Sequence, residues 1–539
     1  MNKTLLIHNN NVVQKDIFSD TWLFKLPQDD TEADSYISNK VIPKIAKEKY
    51  DVIYIKDSLS TNYLDLYGLR IAYHIRLSQN LGNLKFIPIV ILSELDGFTL
   101  NILEPMAKII FTKNIYFIQN DTTIKEFLQR DFQFLNHQSF IENFLKKIEV
   151  ELPKDYLSHH AIANQWAIYR WAEFLKIDTP ALQKNKATIE NMLYFKYLLA
   201  KYPLLEKSGI KQAPKKTNAH GKVLYIDDEW AKGWSDIFKG YFAKQENITF
   251  KTLEEITKDT KYQELEQFVS QTIETYNPDL IILDMRLIQE DQQNINEKNI
   301  SGIKILEHIK KNINGGIQVL MLSASGKSQI LDEAHKYDIL GYIKKEHPQD
   351  TATKTKETFE KLTMLLDIGL EKQYLKEIWS LQKEILDFGI FTKKQYAPIK
   401  IEIQSLFEIL NSSMENRFIY AMLAIFKALE IMITFYIEEK KENNKRFAYW
   451  KDTGIKIAKV NQENFLTQTT KEDTNDTTEN KIRVILHEKL NLKEKTLHDT
   501  MHQITQKRNK AIHDEMPSID KEDILQWFRA LKIVLRNLK

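Results

Sequence analysis

Between residues 221 and 345, three short apolar runs each end on a polar side chain of a particular kind, and this limits the fold more than any other feature. Residues 223–226 run into Asp227, Asp228 and Glu229, residues 280–283 into Asp284, and residues 319–322 into Ser323. A fourth run, 339–343, precedes Lys344 and Lys345. Uninterrupted apolar runs of this length, set between helical stretches, predict buried parallel strands of a doubly wound sheet. Ligand sites in such sheets lie at the carboxyl ends of the strands. Three acids, a hydroxyl and an amine are therefore expected to converge on one edge of one sheet.

Phosphoryl transfer to a carboxylate needs this set. Carboxylates can hold a Mg²⁺ that keeps several waters, and the metal offsets charge on the incoming group. Asp284 is the candidate nucleophile, with Ser323 and Lys345 for the phosphoryl oxygens. The stretch resembles the receiver domain of a two-component response regulator. The resemblance implies Asp227, Asp228 and Asp284 as the Mg²⁺ site, with Asp284 as phospho-acceptor. It makes Ser323 the switch hydroxyl, Lys345 the phosphoryl-binding lysine and Tyr342 the aromatic that moves on phosphorylation. A histidine kinase or another phospho-donor is the implied partner. The sequence departs from the family in the loop after Asp284, which runs through IQEDQQNINEKN before Ser301 and Gly302 and lacks the usual proline.

Residues 1–135 repeat the pattern in degraded form. KTLLIHNN opens like GKVLYIDDE, with His8, Asn9 and Asn10 where acids stand in the other copy. DVIYIKDSL aligns with DLIILDMRL, which puts Lys56 at the acceptor position and Asp57 one step on. YGLRIAYHIRL aligns with SGIKILEHIKK, pairing Gly68 with Gly302 and His74 with His308. Ser93 falls opposite Ser323 and Gln119 roughly opposite Lys345. The expected product is a second receiver-like fold without metal acids or acceptor, used for docking or dimerisation. His74 and His308 are expected to be packing residues rather than ligands.

The remaining chain reads as helical. A helical domain is expected over 136–208, a polar linker over 209–220, the receiver over 221–350 and a helical connector over 351–395. The 539 residues carry a net charge of +2, so no overall field calls for nucleic acid or membrane. There is no cysteine, which excludes disulfides and thiolate metal sites and fits a cytoplasmic location. FIYAMLAIFKALEIMITFYI, residues 418–437, is apolar enough to tempt a membrane assignment, but Lys427 and Glu430 near its middle favour a buried core helix. No membrane partner is expected.

From 396 to 539 the pattern gives four to five helices and no strand. TQTTKEDTNDTTEN, residues 467–480, has the composition of a disordered loop, and Ser518 followed by Glu522, with the Asp-rich MPSIDKED, marks a start for the last helix. Within QKRNKAIHDE, Asn509 and His513 are four apart and share a helix face, with Arg508 to one side. A histidine that moves protons and an arginine that stabilises phosphorane charge are enough for RNA cleavage without a metal. RNKAIH is similar to the Arg-Asn-x-x-x-His motif of HEPN ribonucleases. That resemblance implies a helical bundle, a homodimer with both motifs facing one cleft, and an RNA substrate. It also implies a further polar residue at Glu430 and a role in antiphage defence or toxin-like cleavage.

The fold expected is multidomain: two flavodoxin-like α/β units, helical regions and a C-terminal HEPN bundle. The function expected is a phosphorylation-controlled effector, with Asp284 governing a dimeric ribonuclease. The alternative is a non-enzymatic response-regulator adaptor whose bundle only dimerises or binds a partner.

Overall fold

Two five-stranded parallel sheets carry the first two-thirds of the chain, and the central strands of each are short, apolar and buried on both faces. The computed structural model describes residues 2–9, 15–25, 30–60, 62, 65–119, 124–132, 135–152, 159–202, 216–257, 259–292, 299–324, 328–350, 353–442, 444–459, 475–513 and 517–538. The first sheet contains β1 (Thr4–His8), β2 (Asp20–Leu23), β3 (Val52–Lys56), β4 (Ile89–Ser93) and β5 (Ile115–Gln119), in the order β2-β1-β3-β4-β5. The second contains β6 (Gly221–Ile226), β7 (Ile248–Thr252), β8 (Leu280–Asp284), β9 (Gln318–Ser323) and β10 (Gly341–Lys344), in the order β10-β9-β8-β6-β7. Each unit thus places its first strand between its second and third, the doubly wound order whose switch point lies at the carboxyl ends of the first and third strands.

The two units obey one register. Ile7 pairs with Ile55 in the first sheet as Ile226 pairs with Leu283 in the second. Lys56 pairs with Leu92 as Asp284 pairs with Leu322. His8 and Asn9 therefore occupy the positions of Asp227 and Asp228, and Lys56 that of Asp284. One expectation shifts by a residue: Gln119 pairs with Ser93 as Lys344 pairs with Ser323, so Gln119 answers to Lys344. The position that answers to Lys345 is Asn120, outside the described residues.

A shared close approach fixes the turn after the third strand in both units. The helices α1 (Asp30–Tyr36) and α2 (Tyr67–Leu77) belong to the first unit, and Gly68 donates its N–H to the carbonyl of Asp57 at 2.9 Å. Gly302 does the same to Met285 at 3.1 Å. A Cβ at Gly302 would lie 2.5 Å from the carbonyl oxygens of both Asp284 and Met285, and one at Gly68 only 2.0 Å from that of Lys56. No rotamer change relieves a clash with backbone. Gly302→Ala is expected to cost at least about 2 kcal/mol in denaturant unfolding, whereas Gly389→Ala, which meets nothing within 4 Å, leaves the transition unchanged.

Buried cations recur at one position of the repeat. Arg76 donates to the carbonyls of Lys85, Ile87 and Asn114 at 2.7–3.0 Å, and Lys310 donates to those of Gly315 and Ile317. Each holds the loop that leads into its fourth strand. The paired histidines are packing residues, as expected. His74 is buried against Asp34, its Nε2 2.7 Å from Oδ1, and His308 meets the Ser270 hydroxyl at 2.9 Å.

The helix α3 (His159–Leu175) lies between the two units, and α4 (Leu193–Lys201) follows it. Ile162, Trp166 and Tyr169 of α3 join the core of the first unit, while Ile168, Trp171, Ala172 and Leu175 join that of the second. Residues two apart on a helix point about 200° apart, which is how one helix feeds two cores. The helix α4 is tied to the first unit by Lys196, whose ammonium donates to Ser38 and Ser78. The second unit adds α5 (Trp234–Phe242), α6 (Tyr262–Tyr276) and α7 (Ser301–His308).

Two helices span the expected connector. The first, α8 (Lys354–Glu371), closes the core of the second unit through Phe359, Leu362, Leu366 and Leu370. The second, α9 (Leu375–Leu386), belongs to the C-terminal core and touches the second unit where Leu375 backs onto Gly316.

The C-terminal region holds α10 (Ala397–Asn411), α11 (Arg417–Tyr436), α12 (Thr478–Val484), α13 (Lys495–Ile512) and α14 (Lys521–Arg536) around one apolar core. Among the described residues α11 is the one helix long and apolar enough to cross a membrane by length and composition. It buries Met422, Ile425, Phe426, Leu429 and Met432 in that core.

Three sequence expectations need correction here. The long helix stops at Tyr436, and an antiparallel hairpin follows, β11 (Ile437–Glu442) and β12 (Lys445–Trp450). Its tight turn is favoured by Asn444, at φ +62°. Part of the segment expected to be disordered, 467–474, lies outside the described residues. The rest is packed: Asn475 is buried and bonds the backbone of Ala448 and Ile457, and Thr477 caps α12. Finally, the last helix starts within MPSIDKED as expected, but its cap is Asp520, reciprocal with Asp523, and not Ser518.

Candidate phosphoryl-acceptor pocket

The switch point of the second sheet collects the polar groups because four strands end there in register. β6 delivers Asp227, β8 ends on Asp284, β9 ends on Ser323, and β10 leads into Lys345. The Lys345 N–H donates to the Ser323 carbonyl at 2.7 Å, which carries the lysine one residue past the ladder and turns it inward. Its ammonium lies 2.8 Å from Asp284 Oδ1 and 3.1 Å from Asp227 Oδ2. Asp227 also accepts from the Tyr225 hydroxyl at 2.6 Å and the Glu229 N–H at 2.7 Å. The Arg286 N–H reaches the other oxygen of Asp284 at 2.8 Å. Asp227, Asp284, Ser323 and Lys345 are buried, and Asp228 is half-buried.

Tyr342 lies two residues before the end of β10, opposite Met321. It is half-buried, with the Lys361 ammonium 5.1 Å from its ring centre.

Burying several acids around one amine sets their proton affinities. Burial, which Lys345 only partly offsets and Asp227 reinforces, pushes the Asp284 carboxyl up to about 7. Burial and repulsion from Asp227 and Asp284 push Asp228 up to about 8. Burial alone would lower the Lys345 ammonium, but Asp227 and Asp284 reverse this and hold it above the usual lysine value.

A carboxyl whose folded pKa is raised keeps a proton that the unfolded chain has lost. Its ionisation therefore costs stability as pH rises from the ordinary carboxylate range, and that cost is complete above about 8. Asp228→Asn is expected to leave stability nearly unchanged at about pH 3.5, below the unfolded pKa, and to raise it by at least about 2 kcal/mol at about pH 9. Calorimetric unfolding at the two pH values checks this, and equal effects at both would refute it.

The donor set fits a hard divalent cation by chemistry, since it is made of carboxylate oxygens, and added positive charge would offset the burial and repulsion that raise Asp228 and Asp284. It is not gathered in advance: among the described residues no three His, Asp or Glu side chains stand grouped as a metal site, and Lys345 holds Asp227 and Asp284.

Sequence reasoning missed Asp291. It is fully buried in the long loop after Asp284, accepts from the Leu287 and Ser301 N–H groups at 3.1 and 2.9 Å, and bonds the Ser301 hydroxyl. This staple keeps the loop's two ends together, so its extra length leaves the turn from β8 to α7 intact. Its sequence context is one acid among many polar residues and gives no signal.

The first unit's equivalent pocket is filled differently. The Asn9 amide donates to the carbonyls of Ser58 and Ser60, and buried Asp57, one step past the acceptor position, accepts from the Ser93 hydroxyl. Burial raises the Asp57 pKa despite that bond. Lys56 is drawn outward to Glu94 at 3.4 Å.

At the C-terminal end, the four residues singled out in the sequence fall near one another but are not joined as expected. Arg508 forms an ion pair with Glu430 at 3.2 Å, and its guanidinium lies 4.9 Å from the Phe426 ring centre. The Asn509 amide oxygen accepts from Arg508 at 3.3 Å. His513 stands at the exposed end of α13, its N–H bonded to the carbonyls of Asn509 and Lys510. At φ −101° and ψ 35° His513 is the residue on which the helix ends, its N–H still bonded to the Asn509 carbonyl four residues back. A groove of about 580 Å³ beside Arg508 is lined by Tyr420, Leu423, Phe426, Glu430 and Ile512.

Comparison with known proteins bears on the α/β units. Residues 6–118 match the family model described as an inactive receiver domain. No curated protein matches the chain. Among solved structures, the signal receiver domain of a modulated diguanylate cyclase from Desulfovibrio desulfuricans G20 is 12% identical, with 29% of this chain and 98% of that one covered and a TM-score of 0.20. A two-component response regulator of the LuxR family from Aurantimonas sp. SI85-9A1 is 14% identical, covering 27% and 86%, with a TM-score of 0.19. NtrX from Brucella abortus is 17% identical, covering 36% and 40%, with a TM-score of 0.21. The chain is thus a multidomain protein whose N-terminal unit is similar to inactive receiver domains and whose second unit repeats that fold around an acid pocket of its own.

Proposed function

We propose that the protein is a two-component-type effector that accepts a phosphoryl group on Asp284 and uses it to control a C-terminal HEPN ribonuclease. The observation that carries the first half is the contact of Lys345 with both Asp284 and Asp227 at the switch point of the second sheet. In the transfer, an Asp284 oxygen attacks phosphorus, the new P–O bond forms, and the donor's bond to phosphorus breaks with its electron pair leaving on the donor. Mg²⁺, held by Asp227, Asp228 and Asp284, would supply neutralising charge for that step. Lys345 passes from Asp284 to a phosphoryl oxygen, and the Ser323 hydroxyl offers a second hydrogen bond.

The ribonuclease half draws support from the exposure of His513 at the end of α13, from the pair that Arg508 of the same helix forms with Glu430 of α11, and from the groove that pair lines. Two copies meeting across that groove would bring two His513–Arg508 sets to one RNA strand. His513 would move the proton of the 2′-hydroxyl or of the leaving oxygen, and Arg508 would stabilise the phosphorane.

A second reading, the non-enzymatic adaptor, is favoured by the Arg508–Glu430 pair, which occupies the guanidinium that a phosphate would need. RNA cleavage by the purified chain, with and without acetyl phosphate and Mg²⁺, separates the two. Cleavage that responds to the donor establishes the switched nuclease. A donor-dependent change in oligomer size without cleavage establishes the adaptor.

A further inference from the structure

The acid pocket has a second set of neighbours on the side away from Tyr342. Besides its two carboxylates, the Lys345 ammonium lies 4.8 Å from the ring centre of Trp234, which is fully buried. Trp234 in turn donates its indole N–H to the Asn164 side chain of α3 at 2.8 Å and packs edge-on against Trp171 of α3 at 5.1 Å. Next in the chain to Lys345 is Glu346, a buried carboxylate. It accepts from the Trp171 indole at 2.9 Å and the Thr355 hydroxyl at 2.8 Å, with Arg170 at 3.8 Å. Burial raises its pKa despite these donors. The backbone approaches as closely as the side chains: a Cβ at Gly233, just before Trp234, would meet Leu182 at 2.6 Å and Ile168 of α3 at 3.3 Å.

The same helix is anchored in the first unit by its other face, through Ile162, Trp166 and Tyr169. One rigid element therefore touches the ring under the phosphoryl-binding lysine, the residue after that lysine, and the core of the unit that has lost its own acceptor. Packed cores have discrete arrangements and do not deform continuously, so a displaced knob on one face of such a helix is felt on the other.

We propose that α3 senses the state of the acid pocket through Trp234, Trp171 and Glu346 and passes it to the N-terminal α/β unit. When Lys345 leaves Asp284 for a phosphoryl oxygen, its hold on the Trp234 face and the position of Glu346 change together, and α3 shifts against the first unit. The trigger rests on the phosphoryl-acceptance reading; the linkage does not, because removing the lysine's charge disturbs the same contacts.

Hydrogen exchange on the full chain, read by mass spectrometry over α3 and α2, tests the linkage without any donor. Lys345→Met is expected to speed exchange in α3 by on the order of tenfold, corresponding to ~1.4 kcal/mol. Asp284→Asn, which keeps size and shape, should move the same amides should Lys345→Met fail to fold. Trp171→Phe removes the indole N–H to Glu346, and in that background either pocket variant should no longer alter exchange in α2. Unchanged α3 exchange in a folded pocket variant whose β8 and β10 amides do change would overturn the proposal. Acetyl phosphate with Mg²⁺ adds a separate arm, with acyl phosphate read on a phosphate-affinity gel. Absence of acyl phosphate there counts against acceptance at Asp284 and leaves the variants to decide the linkage. Acyl phosphate without any change in α3 overturns the linkage alone.

Discussion

Asp284→Asn is expected to abolish acyl-phosphate formation from acetyl phosphate, lowering its rate by at least about 10³-fold. The variant removes the nucleophile and keeps the shape, so the Arg286 N–H retains an acceptor and the fold is preserved. Lys345→Met should also suppress the product, because the ammonium is the buried cation that offsets both Asp284 and Asp227. In the wild type without added metal, the rate should rise with pH through about 7 as Asp284 loses its proton, and Mg²⁺ should move that rise to lower pH. Phosphate-affinity electrophoresis of the two variants across pH measures all of this. Undiminished product in Asp284→Asn would place the acceptor elsewhere. The first unit supplies an internal control: Lys56→Asp restores an acid at the acceptor position, yet His8 and Asn9 still stand where acids are needed and Asn9 is bonded to Ser58 and Ser60, so no product is expected there.

How far the sequence carried depended on whether a feature was local in the chain. Four strands of each unit were legible because a strand buried on both faces must be apolar throughout, as residues 280–283 and 319–322 say directly, whereas the partly exposed edge strands β2 and β7 carry polar residues and form no such run. The pocket was legible because the end of a strand is also the end of its apolar run, which placed Asp227, Asp284 and Ser323 without any coordinates. The repeat placed Lys56 opposite Asp284 correctly, but over the longer path to β5 the alignment slipped by one, and Gln119 answers to Lys344. Asp291 was invisible because its value lies in the two loop ends it joins, Leu287 and Ser301. The double role of α3 was hidden for a related reason. A helix with apolar residues on two faces reads from sequence as a buried helix, with nothing to say that Trp166 and Trp171 enter different cores. In the C-terminal region the hairpin was missed because Ile437 continues the apolar run of α11, while the charges beyond it read equally well as a helix end.

His513→Ala is expected to lower RNA cleavage by about 10²–10⁴-fold, the usual loss when a proton-transferring side chain is removed. Its exposed position at the end of α13 makes a folding defect a poor explanation for such a loss, since no core packing goes with the imidazole. Arg508→Ala should cost about 10²–10³-fold through lost charge stabilisation. It also leaves Glu430 without its partner at 3.2 Å, so Glu430→Gln is the needed companion. If Glu430 serves only to hold Arg508, Glu430→Gln frees the guanidinium and strengthens RNA binding, measured by fluorescence anisotropy with a noncleavable 2′-deoxy strand. If Glu430 acts in the reaction, cleavage falls while binding holds. Cleavage that persists in His513→Ala removes the ribonuclease assignment. What then remains is an acid pocket coupled to a helical region, with the groove beside Phe426 and Ile512 left for a partner, which is the adaptor.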